Sequence, residues 1–262
     1  MNPYLITEPT VISFSGGRTS AYMLWKCLDA HNMSLPKEAI VCFANTGKEE
    51  EATLKFVNDC SVNWNVPIIW LEFRDNEQKF EIVTFETASR NGEPFEAVIN
   101  KYNFLPNSVM RFCTQELKIH TINRYCRSIG VKDFTTMVGI RADEPRRAAK
   151  IKNGKWDRIA PLVKENITEQ DVWKFWNENT FDLQLAKASG ASNCDLCFLK
   201  GTKILSSLIR EKPQRVDWWI KMEDKVGARF SKDKPTYLQM KNYNDAQASM
   251  FDDETIPCFC GD

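Results

Sequence analysis

Histidine is scarce: the 262 residues include two, His31 and His120, isolated from each other and from any matching Ser or Asp motif. No Ser/His/Asp arrangement can be read from such a chain, and neither histidine marks a site on its own. An excess of charge is also absent, since 35 basic residues cancel 35 acidic ones. Global charge therefore gives no argument for nucleic acid or a membrane surface, although a local basic patch stays open. No apolar run approaches the length of a membrane span, and the opening Met-Asn-Pro-Tyr-Leu-Ile-Thr-Glu lacks the charged and apolar regions of a signal peptide. A cytoplasmic protein without membrane partners is expected. Internal repeats and low-complexity segments are missing too. What remains, 43% hydrophobic and 27% charged, is ordinary globular composition in a chain long enough to bury a real core.

Strand and helix patterns alternate in the first half. Residues 10–14, 39–44 and 68–73 read as buried strands, with helices over 19–31 and 49–63 between them. This rhythm predicts a parallel sheet with helices on both faces, and ligands at the C-terminal ends of its strands. Residues 74–110 are polar, carry Asn91-Gly92-Glu93-Pro94, and read as an insertion or lid. A helix over 114–128, a strand over 134–139 and a basic arm over 141–158 follow. The pattern is then mostly helical, with Thr168-Glu169-Gln170-Asp171 as a capping box. The expected division is a nucleotide-binding α/β domain over 1–165 and a helical, cysteine-bearing region over 166–262.

The stretch that organises the chain is Val11-Ile12-Ser13-Phe14-Ser15-Gly16-Gly17-Arg18-Thr19-Ser20. Strand, glycine turn and helix start make an anion site: glycine lets the backbone approach a ligand, and the first helical N–H groups point at it. Ser15, Thr19 and Ser20 add hydroxyls and Arg18 a charge. The loop has no Lys and no Walker spacing. It resembles the pyrophosphate loop of the adenine nucleotide alpha-hydrolase-like superfamily, which includes N-type ATP pyrophosphatases and phosphoadenylyl-sulfate (PAPS) reductases. Three further segments strengthen the resemblance. Asn45-Thr46-Gly47, followed by Thr53-Leu54-Lys55-Phe56-Val57, resembles the strand-end segment that borders the nucleoside, with Asn45 in place of its Asp. Gly139-Ile140-Arg141, with Arg146 and Arg147 beyond, resembles the family's G-x-R segment. Arg158-Ile159-Ala160-Pro161-Leu162, with Thr168, Asp171, Val172 and Trp173, resembles a PAPS reductase signature. By this resemblance Ser15, Gly16, Gly17, Arg18, Thr19, Ser20, Asn45, Thr46, Gly139, Arg141, Arg146 and Arg158 bind the nucleotide and its phosphates.

Nine cysteines in a reducing compartment do not suggest a disulfide framework. Cys27, Cys42, Cys60 and Cys126 fall on strand or helix patterns and read as core. Cys113 differs, because a helix start with Arg111 and Lys118 nearby stabilises a thiolate. Cys113-Thr114 with Lys118 resembles the family's C-C-x-x-x-K, Thr114 standing where the second Cys would be. Cys194 and Cys197 form a C-x-x-C, and Cys258 and Cys260 close the chain. A 4Fe-4S cluster on Cys113, Cys194, Cys197 and Cys260 is one expectation. Zinc and unligated thiols are the alternatives. Two enzymes are open on these residues. One is a PAPS reductase-like oxidoreductase that acts on PAPS or adenylyl sulfate with Lys118, Cys258 and Cys260 as catalytic groups and a thioredoxin-like reductant. The other is an ATP pyrophosphatase-type sulfurtransferase using ATP, Mg and a sulfur donor on tRNA or DNA. A non-catalytic nucleotide-binding module with a structural metal is the third possibility, and a homo-oligomer is expected.

Overall fold

Short apolar runs ending in turn residues become strands, and the amphipathic stretches between them pack as helices. The computed structural model describes residues 2–152, 157–185 and 193–243. Its elements begin β1 (Thr10–Ser13), α1 (Arg18–Ala30), β2 (Ala39–Asn45), α2 (Glu51–Asn63), β3 (Ile68–Glu72), β4 (Glu81–Val83) and α3 (Glu93–Tyr102). A π-helical segment, Cys113–His120, runs straight into α4 (Thr121–Ser128). Then come β5 (Thr135–Val138), α5 (Pro145–Lys152), β6 (Arg158–Ile159), α6 (Pro161–Lys164) and α7 (Glu169–Asn177). The rest is helical: α8 (Thr202–Glu211), α9 (Val216–Val226) and α10 (Tyr237–Tyr243). No helix among the described residues is long and apolar enough to cross a membrane.

The strands form one sheet in the order β4-β3-β2-β1-β5-β6, parallel except for the antiparallel edge strand β4. This is the expected α/β architecture. The period of two sends Ile12 into the core beneath α1, α2 and α7, and Val11 into the smaller core beneath α4. Helix α4 packs over β2 and β3. Ser13 of β1 shares the α4 face with Val11, and with Thr136 and Val138 of β5 it lines a groove. At Thr168 the capping box forms, the side chain of Asp171 accepting hydrogen bonds from the Thr168 N–H and hydroxyl.

Buried side chains do not divide at residue 165. Val172, Trp176 and Leu183 join the first sheet core. Phe95, Val98, Ile99 and Leu105 instead pack with Leu117, Cys197, Trp219 and Phe230 in a second core. Residues 74–110 supply the edge strand β4 and the helix α3, whose Phe95 lines the cavity with Cys113, Cys194 and Cys197. Their polarity misleads because α3 buries one face only.

Candidate functional site

At the end of β1 the chain turns through Gly16 at φ +81, where an added Cβ would stand 2.6 Å from the Thr53 methyl. Gly17 caps α1. The Ser20 hydroxyl lies 2.8 Å from that of Ser15 and donates to the Gly17 carbonyl at 3.0 Å, which holds the turn closed. Gly139, at the end of β5, comes so close to α1 that an added Cβ would stand 2.8 Å from the Ser20 Cα. Two strand ends thus converge on one helix N-terminus. From the neighbouring loop Arg141 donates to the Thr19 hydroxyl at 3.0 Å, itself held by Asp143 at 3.1 Å.

Arg18 is placed differently from the phosphate-binding role that the sequence suggests. Its guanidinium makes a bidentate pair with Asp182, both bonds 2.7 Å, donates to the carbonyls of Leu183 and Leu185, and stacks 4.2 Å above Trp173. Its charge is committed to fixing residues 182–185. Asn45 is likewise engaged: it donates to Glu72 at 2.6 Å and to the Ser89 carbonyl, and accepts from the Gly47 N–H. An Asp there would set one carboxylate against the fully buried Glu72, which accounts for the amide.

A groove of about 420 Å³ runs from Ser15 and Gly139 along the open sheet face between α4 and α5. Arg111, Lys118 and Arg127 line it from the α4 side, and Arg147, Lys150 and Arg158 from the α5 and β6 side. With Lys132 these make seven cations, against two acids, Asp133 and Asp157. In a chain with no net charge this is a concentrated anion field. Burial lowers the pKa of Arg158 from the usual guanidinium value. Arg147, not Arg146, lines the groove, and Arg146 is exposed.

Beside the groove lies a second cavity, of about 20 Å³, lined by Cys113, Cys194 and Cys197 with Thr46, Leu117 and Phe198. The three cysteines come from two segments far apart in sequence, Cys113 from the π-helical segment and Cys194 and Cys197 from one C-x-x-C loop. The C-x-x-C loop is docked by an antiparallel bridge between Cys194 and Glu49, a buried Lys48–Asp195 ion pair at 3.0 Å, and a hydrogen bond from Asn193 to the Ser15 carbonyl at 2.6 Å. Thr114 and Lys118, on the π-helical segment, line both cavities and form the wall between them. The Lys118 ammonium is 3.4 Å from Glu49. No group of three or more His, Cys, Asp or Glu side chains among the described residues is arranged to hold a metal ion. Cys258 and Cys260 lie outside the described residues.

His120 turns away from both cavities onto Glu116, at 2.9 Å. Cys27, Cys42, Cys60 and Cys126 are buried in the sheet cores, and burial pushes the Cys27 thiol up to about 12. Asn123, Arg127 and Lys132 line the groove without any sequence motif to mark them. A helical period placing Ile119, Asn123 and Arg127 on one face was the available signal.

Among curated proteins the chain is 32% identical, over 74% of its length and 67% of the relative's, to an uncharacterized nin region protein, ORF290, of Escherichia phage lambda. It is 30% identical, over 55% of its length but a quarter of the relative's, to the uncharacterized protein MJ0066 of Methanocaldococcus jannaschii. Among solved structures, 98% of it aligns with 77% of the U34-tRNA thiolase NcsA of Methanococcus maripaludis with its 4Fe-4S cluster, at 16% identity and a TM-score of 0.40. That likeness is too loose to carry over any residue's role. Residues 9–185 match the phosphoadenosine phosphosulfate reductase domain. With well over half its length in that match, the chain belongs to the phosphoadenosine phosphosulfate reductase domain family.

Proposed function

We propose that the protein is an enzyme that binds an adenine nucleotide in the cation-lined groove and carries out sulfur reduction or transfer at the cysteine cavity. The observation behind this is the shared wall: Lys118 and Thr114 face an anion groove on one side and three thiols on the other. In a PAPS reductase-like reaction the loop over residues 15–20 and Lys118 hold the anionic end of the sulfonucleotide. A thiolate attacks sulfur, the S–O bond to the nucleotide breaks, and adenosine 3′,5′-bisphosphate leaves. A thioredoxin-like dithiol then attacks the S-sulfocysteine, releases sulfite and restores the thiol while becoming oxidised. Cys258 and Cys260 are the candidates for the nucleophile.

The thiol-lined cavity also favours a second reading, an ATP pyrophosphatase-type sulfurtransferase that adenylates tRNA or DNA. Three soft donors in a chamber walled by Leu117, Phe198 and Trp219 suit a thiolate-bound group. Cys113, Cys194 and Cys197 would hold a 4Fe-4S cluster, with Cys260 as fourth ligand. Zinc is the alternative occupant. A bound cluster would supply a site for electron or sulfur transfer.

The test is anaerobic purification with iron and acid-labile sulfide analysis, followed by two assays. PAPS with a dithiol reductant is expected to yield sulfite and adenosine bisphosphate. Pyrophosphate from ATP, Mg and tRNA or DNA, with about four iron and four sulfide per chain, would select the second reading. Turnover of neither nucleotide would overturn both.

A further inference from the structure

Asn193 stands immediately before the C-x-x-C and is held from two sides. Its backbone carbonyl accepts from the Glu50 N–H at 2.7 Å, and its side-chain Nδ2 donates to the Ser15 carbonyl at 2.6 Å. The residue is 5% exposed. The Lys48–Asp195 pair and the Cys194–Glu49 bridge tie the cysteine loop to the connection between β2 and α2. Asn193 ties it to the phosphate loop as well, across 178 residues of sequence.

Asn193 grips one edge of a peptide unit whose other edge belongs to the phosphate-loop turn. The Ser15 C=O and the Gly16 N–H share a planar trans peptide and point in opposite directions. Fixing the carbonyl therefore fixes the direction of the N–H, in the turn where Gly16 has φ +81. Hydrogen bonds at the two edges of one peptide polarise it and strengthen each other. An anion accepting from the Gly16 N–H would tighten the bond from Asn193, and a docked Asn193 presents that N–H already aimed. We propose that Asn193 is a positioning residue that couples the phosphate loop to the cysteine cavity. An anion on residues 15–20 stiffens the C-x-x-C loop, and docking of the C-x-x-C loop readies residues 15–20 for the anion. Linkage makes the two effects equal in size. Cys194 and Cys197 are then held most firmly when the groove is occupied.

This inference rests on residues 15–20 binding an anion, as the proposed function requires, and the experiment keeps the two claims apart. Amide hydrogen exchange of the full chain is followed by mass spectrometry with and without inorganic pyrophosphate, and pyrophosphate affinity is measured by calorimetry. In the wild type, pyrophosphate is expected to slow exchange at residues 16–20 and also across 194–200, where the Asp195 N–H donates to the Lys48 carbonyl at 2.8 Å. Asn193→Ala is expected to confine the slowing to residues 16–20 and to weaken pyrophosphate binding about 5- to 10-fold, the low end of typical coupling. Asn193→Asp, of equal size, loses the donor and is expected to behave alike. Exchange in β3 serves as the control for global stability and should be the same in all three proteins. Slowing across 194–200 that survives both substitutions would overturn the assignment, and faster exchange in β3 alongside it would make Asn193 a structural residue. Slowing that never extends beyond residue 20 in the wild type would overturn the coupling while leaving the anion site intact. A wild type that does not bind pyrophosphate would overturn the phosphate loop of the proposed function itself.

Discussion

Glu116 is the electrostatic hub of the segment that carries Cys113 and Lys118, and its removal can be worked through quantitatively. The carboxylate is 5% exposed and faces four donors: His120 Nδ1 at 2.9 Å, Tyr102 Oη at 3.0 Å, Arg124 Nη2 at 3.1 Å and Lys101 Nζ at 3.4 Å. Burial alone would raise its pKa, but the bonds from His120, Arg124 and Tyr102 and the charge of Lys101 outweigh it and hold the group at about 2, against an ordinary 4.5. At 1.36 kcal/mol per pH unit that difference favours the folded state by up to about 3 kcal/mol. The folded pKa is depressed, so the stabilisation is complete above pH 4.5 and drains away as the pH falls toward 2. In Glu116→Gln the cations, each about a third exposed, turn to solvent and the advantage is absent throughout. Denaturant unfolding of both proteins from pH 7 to pH 2 should show a gap of up to about 3 kcal/mol that closes below pH 4.5. A gap that stays constant with pH would refute the reasoning, because a packing loss has no such titration.

Two other perturbations test the architecture of the site. Gly139→Ala places a methyl 2.8 Å from the Ser20 Cα, and overpacking of this kind costs about 1–3 kcal/mol. The thermal midpoint should drop by several degrees and pyrophosphate affinity should fall with it, measured by calorimetry; unchanged affinity would mean that the loop tolerates the displacement. Asp195→Asn breaks the buried pair with Lys48, in which Asp195 also accepts from Trp219 Nε1 at 3.1 Å. Removing one partner of such a pair costs about 3–5 kcal/mol, so urea unfolding should shift strongly; a shift below about 1 kcal/mol would show that the C-x-x-C loop is docked by other contacts.

Local chemistry was legible in the sequence, and long-range partnership was not. Ser-Gly-Gly after an apolar run announced the turn at Gly16, because few other residues suit a positive φ there, and the spacing of strands announced the sheet. Cys113, Cys194 and Cys197 were singled out by thiol chemistry and do share a cavity. Arg18 shows where such reading ends. Its position in the loop implied an anion, yet its partner Asp182 lies 164 residues away, and nothing local to Arg18 signals that carboxylate. Gly139 belongs to a recognisable motif, whereas the physical demand there is space for the Ser20 backbone. No motif marks Arg127, Lys132 and Asn123, because the groove they line exists only once α4 packs over the sheet. For Cys258 and Cys260 the sequence is still the only guide.

The π-helical segment has a consequence for how the family's sequences can vary. In an α-helix, residues five apart are separated by about 140° around the axis, so Cys113 and Lys118 would look in different directions. With i→i+5 bonding the extra residue per turn brings such a pair back toward one side, and both do face the cysteine cavity. The register between thiol and ammonium is therefore written in the count of residues between them, not in their identities. Loss of one residue there would make the pair i, i+4, about 40° apart with α bonding, so the amine would keep the chamber wall only if the segment gave up its π register.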